Sequence, residues 1–142
     1  SSRSATTMLE RNVELNFPAA PHESVTADYL GYIQSATKKY DLIVLDPPAF
    51  AKHRAAVDRA LKGYATINLN GINSLTPEGL LFTFSCSQLV SRELFLQMLR
   101  DVAHRSGRTV QIIQELHQAP CHPVNLQHGE GSYLKGFILK VW

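Results

Sequence analysis

The apolar run Leu42-Ile43-Val44-Leu45 stops at Asp46-Pro47-Pro48-Ala49-Phe50, and that junction limits the fold more than any other stretch of the chain. A short continuous apolar run bounded by turn residues reads as a strand buried on both faces, the kind that parallel sheets contain. Proline fixes φ and lacks an N–H, so the two prolines end the strand and stiffen its exit. A second run, Leu80-Leu81-Phe82-Thr83-Phe84-Ser85, follows the turn Thr76-Pro77-Glu78-Gly79 and ends at Cys86-Ser87. If the two strands are parallel neighbours, Asp46 and Cys86 reach the same edge of the sheet. In open α/β sheets that carboxyl edge is where ligands bind.

The remaining segments alternate between helical and extended patterns. Ser4 to Asn16 is expected to be helical, with Ala5, Met8, Leu9 and Val13 on one face, and Phe17-Pro18-Ala19-Ala20-Pro21 breaks it. Val25 to Ala27 reads as a short strand, and Tyr29 to Lys39 as a helix that Asp28 caps. Asp41 to Leu45 is expected at the centre of the sheet. Val57, Ala60, Leu61, Tyr64, Asn68, Gly71, Ile72 and Leu75 keep helical spacing, so a long helix covers Ala55 to Ser74. Ser91 opens a further helix through Arg105 that Gly107 ends. Thr109 to Glu115 and Tyr133 to Val141 are two more strands. This alternation predicts an α/β fold with a mostly parallel sheet.

The residues at the strand ends suit the handling of a flat, hydrogen-bonding base. Asp46 and neighbouring carbonyls are acceptors, Pro47 and Pro48 hold them rigidly, and Phe50 offers a ring for stacking. A Pro-rich turn whose aspartate caps local amides is the plainer alternative. An isolated cysteine is usually a small buried hydrophobe. The serines on either side of Cys86 instead suggest a polar, exposed turn that would support a thiolate. Lys52, His53, Arg54, Arg59 and Lys62 form a basic stretch that serves either as phosphate contacts or as a solvated helix face. His117, Cys121, His122 and His128 match no common zinc spacing, so no metal is expected.

Several segments in order carry a family resemblance. They are Asn12-Val13-Glu14-Leu15-Asn16, Val25-Thr26-Ala27-Asp28-Tyr29, Leu45-Asp46-Pro47-Pro48-Ala49-Phe50, Gly63-Tyr64 and Phe82-Thr83-Phe84-Ser85-Cys86-Ser87. His122-Pro123-Val124 and Tyr133-Leu134-Lys135-Gly136-Phe137 complete the series. Together they resemble the C-terminal part of the catalytic domain of RlmI-like class I methyltransferases. Those enzymes use S-adenosylmethionine to form 5-methylcytosine in large-subunit ribosomal RNA. The resemblance implies a partial Rossmann-like sheet lacking its first two strands, with the last two strands paired antiparallel. It implies Cys86 as a nucleophile and Asp46 as the group that holds the base, with Pro47, Pro48, Phe50, Lys52 and Arg54 around the substrate. Asp28, Tyr29 and Asp46 would meet the cofactor. The acidic residue for the cofactor ribose would fall just before Ser1.

None of the eight glycines forms a glycine-rich turn between a strand and a helix, which a cofactor site of this class needs. Residues 1–142 are therefore expected to be one partial catalytic domain, without the family's RNA-binding domain. Weak or no cofactor binding is expected, and the Val25 strand, without its family neighbours, is expected to re-pair with another strand, detach, or be completed by a second copy in a swapped homodimer. At 142 residues and 44% hydrophobic content the chain suits a single core. A net charge of +2 neither proves nor opposes a ribosomal RNA partner. Two cysteines make no disulfide framework and suit a reducing cytoplasm, and neither an export leader nor a membrane-length apolar run is evident. Two other functions stay open. One is methylation of an exocyclic amine of adenine or guanine, which needs no cysteine. The other is a folded, non-catalytic domain.

Overall fold

The computed structural model describes residues 3–28, 31–32, 38–51 and 53–142. It divides into two compact units, Ser1–Thr37 and Lys38–Trp142. In the first unit, helix α1 (Arg3–Asn16) buries none of its residues. Met8 and Leu9, on the expected apolar face, are exposed. Val25 to Ala27 is not a strand. A three-residue strand exists only through its ladder, and none of the strands among the described residues pairs with it. Thr26 instead joins its hydroxyl to that of Thr6 at 2.7 Å. The helix expected over Tyr29 to Lys39 falls largely outside the described residues. Residues 31–32 are helical and Lys38 and Lys39 are not.

The second unit runs β1 (Tyr40–Leu45), a 3-10 turn (Arg54–Ala56), α2 (Val57–Ser74), β2 (Leu75–Ser85), α3 (Arg92–Ser106), β3 (Val110–Leu116), a 3-10 turn (Gly129–Gly131) and β4 (Lys135–Val141). The sheet order is β1-β2-β4-β3. β1 and β2 are parallel with α2 as their crossover, whereas β4 lies antiparallel to both β2 and β3. The α/β class and the antiparallel pairing of the last two strands are as expected. The described sheet is nevertheless mixed rather than mostly parallel, because β4 inserts between β2 and β3 and runs against each. β1, expected at the centre, is an edge strand among the described residues, where β2 is the one strand it pairs with.

Strand β2 explains where the core lies. Leu81, Thr83 and Ser85 are buried and alternate with half-buried Leu80, Phe82 and Phe84. The buried set shares its face with Leu45, Phe137, Leu139 and Val141. Against that face Tyr64 of α2 meets Phe95 of α3 edge-on at 5.4 Å, and Phe95 lies over Phe137 of β4 at 6.1 Å. Burying an aromatic ring of this kind contributes roughly 1.5–3 kcal/mol over leaving it exposed. On the other face Leu42 and Val44 are exposed, so these strands are not covered on both sides as their apolar runs suggested.

Local signals for α3 hold. The Ser91 hydroxyl accepts from Leu94 N–H at 3.2 Å, and Gly107 takes φ +67°, a left-handed value that glycine adopts without a Cβ clash. The expected turn at Thr76-Pro77-Glu78-Gly79 is present as a bulge inside β2. Tyr40 pairs with Leu75 and Leu42 with Leu80, so β2 spends three extra residues there.

Arg108 gathers the chain beneath this bulge. Its guanidinium donates to Ile72 O and Leu75 O, both at 2.8 Å, to Thr76 O at 3.1 Å and to Trp142 O at 3.0 Å. These are the last carbonyls of α2, the start of β2 and the end of β4's extension. Arg108→Met should lower unfolding stability by about 2–4 kcal/mol, since several part-buried carbonyls lose a charged donor together. Urea denaturation followed by circular dichroism measures this, and a loss below ~0.5 kcal/mol would show the clamp to be idle.

Candidate active site

The edge at the carboxyl ends of β1 and β2 collects the residues that the sequence singles out. Leu45 pairs with Thr83 in the parallel ladder, so Asp46 and Cys86 leave the sheet at the same end. Asp46 and Pro48 are exposed, and Pro47 is half-buried. The Cys86 thiol donates to the Pro47 carbonyl at 3.8 Å, a weak sulfur hydrogen bond across the two loops. Cys86 is free and half-buried.

The serines beside Cys86 do not form an exposed polar turn. Ser85 and Ser87 are both fully buried. Strand alternation carries past the end of β2, so residues 83, 85 and 87 face the core while Cys86 faces the other way. The Ser87 hydroxyl lies 2.9 Å from Tyr64 Oη and accepts the Ala51 N–H at 3.3 Å. The Ser87 carbonyl accepts from Val90 N–H at 3.1 Å and from Lys135 Nζ at 2.6 Å. One residue thus joins the Asp-Pro-Pro loop, α2, the turn after β2 and β4.

Phe50 is anchored as well as presented. Its ring packs on Tyr64 with centroids 4.6 Å apart and planes tilted by 41°. Gly63 makes room for it, because a Cβ there would stand 3.2 Å from Phe50 Cδ2. Arg54, Arg59 and Lys62 are exposed, and Lys52 lies outside the described residues.

Asp28 belongs to the first unit, where its Oδ2 accepts the Gly31 N–H at 3.2 Å. That is capping geometry, the plainer of its two expected roles. Tyr29 lies outside the described residues. Cys121 is exposed and its sulfur is 3.1 Å from Nδ1 of its neighbour His122. Among the described residues no three His, Cys, Asp or Glu side chains sit together as metal ligands would.

Two participants escaped sequence reasoning. Ser87 was read as an exposed flank of Cys86, although its parity with Leu81 and Thr83 already placed it inward. Lys135 was visible only as part of the Tyr133-Leu134-Lys135-Gly136-Phe137 segment. Its position opposite Ser85 follows from the β2–β4 register, which no local pattern contains.

The fold is shared with a known class. A putative S-adenosylmethionine-dependent methyltransferase from Streptococcus mutans superposes with a TM-score of 0.79 at 21% identity, over 99% of this chain and 36% of that one. The chain therefore has the partial Rossmann-like fold of a class I methyltransferase. No family model matches it. In sequence it is 41% identical over 136 residues to ribosomal RNA large subunit methyltransferase I of Pseudoalteromonas atlantica, covering 93% of this chain and 34% of that protein. The protein of the same name from Citrobacter koseri is 39% identical over 144 residues, covering 99% of this chain and 36% of the relative. By sequence the chain is similar to these RlmI-like methyltransferases, and it spans about a third of their length.

The Ser87 hub carries a prediction. Ser87→Ala leaves the Tyr64 hydroxyl and the Ala51 N–H buried without their shared partner, and should cost about 1–3 kcal/mol. Adding Tyr64→Phe removes one of the stranded groups, so the double variant should lose less than the sum of the two single losses. Urea titrations of the four proteins test this, and strict additivity would contradict the hub.

Proposed function

We propose that this chain forms part of the catalytic domain of an S-adenosylmethionine-dependent methyltransferase that makes 5-methylcytosine in large-subunit ribosomal RNA. The observation that carries this reading is the half-buried Cys86 thiol at the end of β2, within 3.8 Å of the Pro47 carbonyl in the loop that begins at exposed Asp46. The names of the relatives supply the RNA class, and the description of the Streptococcus mutans neighbour supplies the cofactor class.

Carbon 5 of cytosine is too weak a nucleophile to take a methyl group directly. A Cys86 thiolate that bonds to carbon 6 pushes the ring electrons onto carbon 5 and makes it an enamine carbon. Asp46 accepts hydrogen bonds from the base's amine edge and holds the ring in register with the sulfur. Pro47 and Pro48 fix the path of that loop, and Phe50 flanks the base after it leaves its stack. Arg54 and Lys52 lie in the sequence just beyond and supply phosphate contacts. Once carbon 5 carries its methyl group, loss of the carbon-5 proton and expulsion of the thiolate restore the aromatic ring.

The cofactor, when bound, supplies the electrophilic methyl group. Of the second unit's described residues, Asp46 offers it an exposed carboxylate as an acceptor. They do not fit its methionine portion, because the one glycine with positive φ among them is Gly107, spent on ending α3. The isolated chain should therefore bind S-adenosylmethionine more weakly than about 100 μM, several unmade hydrogen bonds each costing roughly 1–3 kcal/mol. Micromolar affinity by calorimetric titration would refute this.

Covalent trapping tests the reaction. A chimaera would carry this chain in place of the matching third of the Citrobacter koseri relative, with RNA containing 5-fluorocytosine at the target as substrate. Fluorine cannot leave carbon 5 as a proton does, so the Cys86 adduct should accumulate and survive denaturing electrophoresis. Cys86→Ala should lose both the adduct and at least ~99% of turnover. Methyl transfer by Cys86→Ala at the parental rate, with no adduct in either protein, would favour direct methylation of an exocyclic amine at the Asp46-Pro47-Pro48 loop.

A further inference from the structure

Gly136 is the most tightly confined glycine of the chain. It is buried in β4, where it pairs with Phe84 of β2 on one side and Leu116 of β3 on the other. A Cβ added there would stand 2.6 Å from Phe84 Cε1, 2.7 Å from Phe84 Cδ1 and 3.0 Å from Leu116 Cβ. Its φ is not positive, so the position demands space and not a left-handed backbone. The edge of the Phe84 ring fills the room that a side chain at 136 would need.

The direction in which that ring lies bears on the site. Phe84 alternates with buried Thr83 and Ser85, so it shares the outward face with Cys86, two residues further along β2. Leu45 pairs with Thr83, and Asp46, one step on, draws level with Phe84 from the neighbouring strand. Phe84 is thus about 5 Å across from the β1 exit and about 7 Å along from Cys86. The Cys86 sulfur reaches over to Pro47 O at 3.8 Å, which puts Phe84 at the foot of the gap between the two loops. β4 flanks β2 on the side away from β1, so a ring lying over Gly136 is turned away from that gap.

We infer that Gly136 keeps the gap between Asp46 and Cys86 open to a flat ring. By carrying no side chain it receives the Phe84 ring over β4, and the space on the β1 side stays clear. Gly136 is a positioning residue that acts through Phe84, and this role rests on the reading of Asp46 and Cys86 as the two sides of the base site. A methyl group at 136 displaces the ring, and with Leu116 closing the β3 side the ring swings toward β1, beneath the Cys86–Pro47 contact. Strand side chains have more than one favourable χ1 well, which gives the ring a second place to go.

A glycine kept only to relieve crowding in the sheet would affect stability and leave access to Cys86 as it is. Access is read by two neutral thiol reagents of different shape. Methyl methanethiosulfonate is small, whereas 4,4′-dithiodipyridine carries a flat ring the size of a pyrimidine. In each case the thiolate attacks a sulfur, a new S–S bond forms, and methanesulfinate or pyridinethiolate leaves. The thiolate fraction of Cys86 is common to both reactions and cancels in the ratio of their rates. A ring filling the gap lowers the flat-to-small ratio, while a looser or tighter turn at Cys86 shifts both rates together.

The test uses the full 142-residue chain with Cys121→Ser, so that Cys86 is the remaining thiol. At pH 7 the flat-to-small ratio of the native chain should lie within about threefold of its value in guanidinium chloride. Gly136→Ala should lower the native ratio about tenfold, since the displaced ring meets the incoming one. Adding Phe84→Leu to that variant should return the ratio to the parental value. A folded Gly136→Ala chain with the parental ratio would overturn the proposal, and so would a folded double variant without recovery. A native parent whose ratio is already about tenfold below the denatured one would overturn it as well, which decides the matter even if the variants fail to fold. The readout needs neither cofactor nor turnover. Loss of the fluorocytosine adduct would sink the nucleophile reading, and an unmoved reagent ratio would sink the role of Gly136.

Discussion

Ser87 turns its hydroxyl into the core, where Tyr64 Oη at 2.9 Å and the Ala51 N–H at 3.3 Å converge on it. Buried polar groups must find partners, and here three segments distant in sequence satisfy one another at a single atom. Moving Ser87 strands the other two at a cost of about 1–3 kcal/mol each. The loop after β1, the middle of α2 and the turn after β2 are therefore locked together. The Cys86 sulfur and the Pro47 carbonyl are brought face to face as a consequence, since Cys86 adjoins Ser87 and Pro47 lies in the loop that Ala51 fixes. A weak 3.8 Å sulfur contact could not organise two loops by itself.

The apolar packing beneath this lock is continuous with it. Phe50, Tyr64, Phe95 and Phe137 form a chain of ring contacts from the Asp-Pro-Pro loop through both helices to β4. The Tyr64 ring belongs to that row and its hydroxyl to the hydrogen-bond hub, so one side chain couples hydrophobic burial to loop position. At the far end of the sheet Arg108 plays a comparable part for the backbone, drawing the end of α2 and the start of β2 onto one guanidinium. Arg92 ties the start of α3 to β3 through Glu115, whose carboxyl it holds below the usual range by hydrogen bonding and charge. Arg92 is exposed and Glu115 only half-buried, and the pair adds little to stability.

Chemically, this edge of the sheet sets acceptors on one loop against a free thiol on the other. Asp46 and the Pro47 carbonyl can hold an amine edge, and Cys86 lies close by with its flanking hydroxyls turned away. Burying Ser85 and Ser87 removes competing weak nucleophiles and leaves the thiol alone on the outward side. That division arises from strand parity and owes nothing to any special property of serine.

Much of this was legible in the chain. Helix α3 could be bounded to within a residue because its caps, Ser91 and Gly107, act on backbone groups a few positions away. The Asp-Pro-Pro junction and the strand end at Cys86 could be placed because prolines and apolar runs are local signals. Val25 to Ala27 could not, since a strand is defined by a partner elsewhere in the chain. The edge position of β1 and the mixed sheet were hidden for the same reason: pairing partners are non-local, and β4 arrives from the other end of the sequence to part β2 from β3. By itself the sequence determined where most strands and helices of the second unit start and stop, the early start of β2 at Leu75 excepted, and which chemical groups wait at their ends. The tertiary structure alone decided that Ser87 faces inward to a tyrosine 23 positions away and that Lys135, 48 positions from Ser87, donates to its carbonyl. Such contacts depend on sheet register and helix docking, which are settled only when the whole core packs at once.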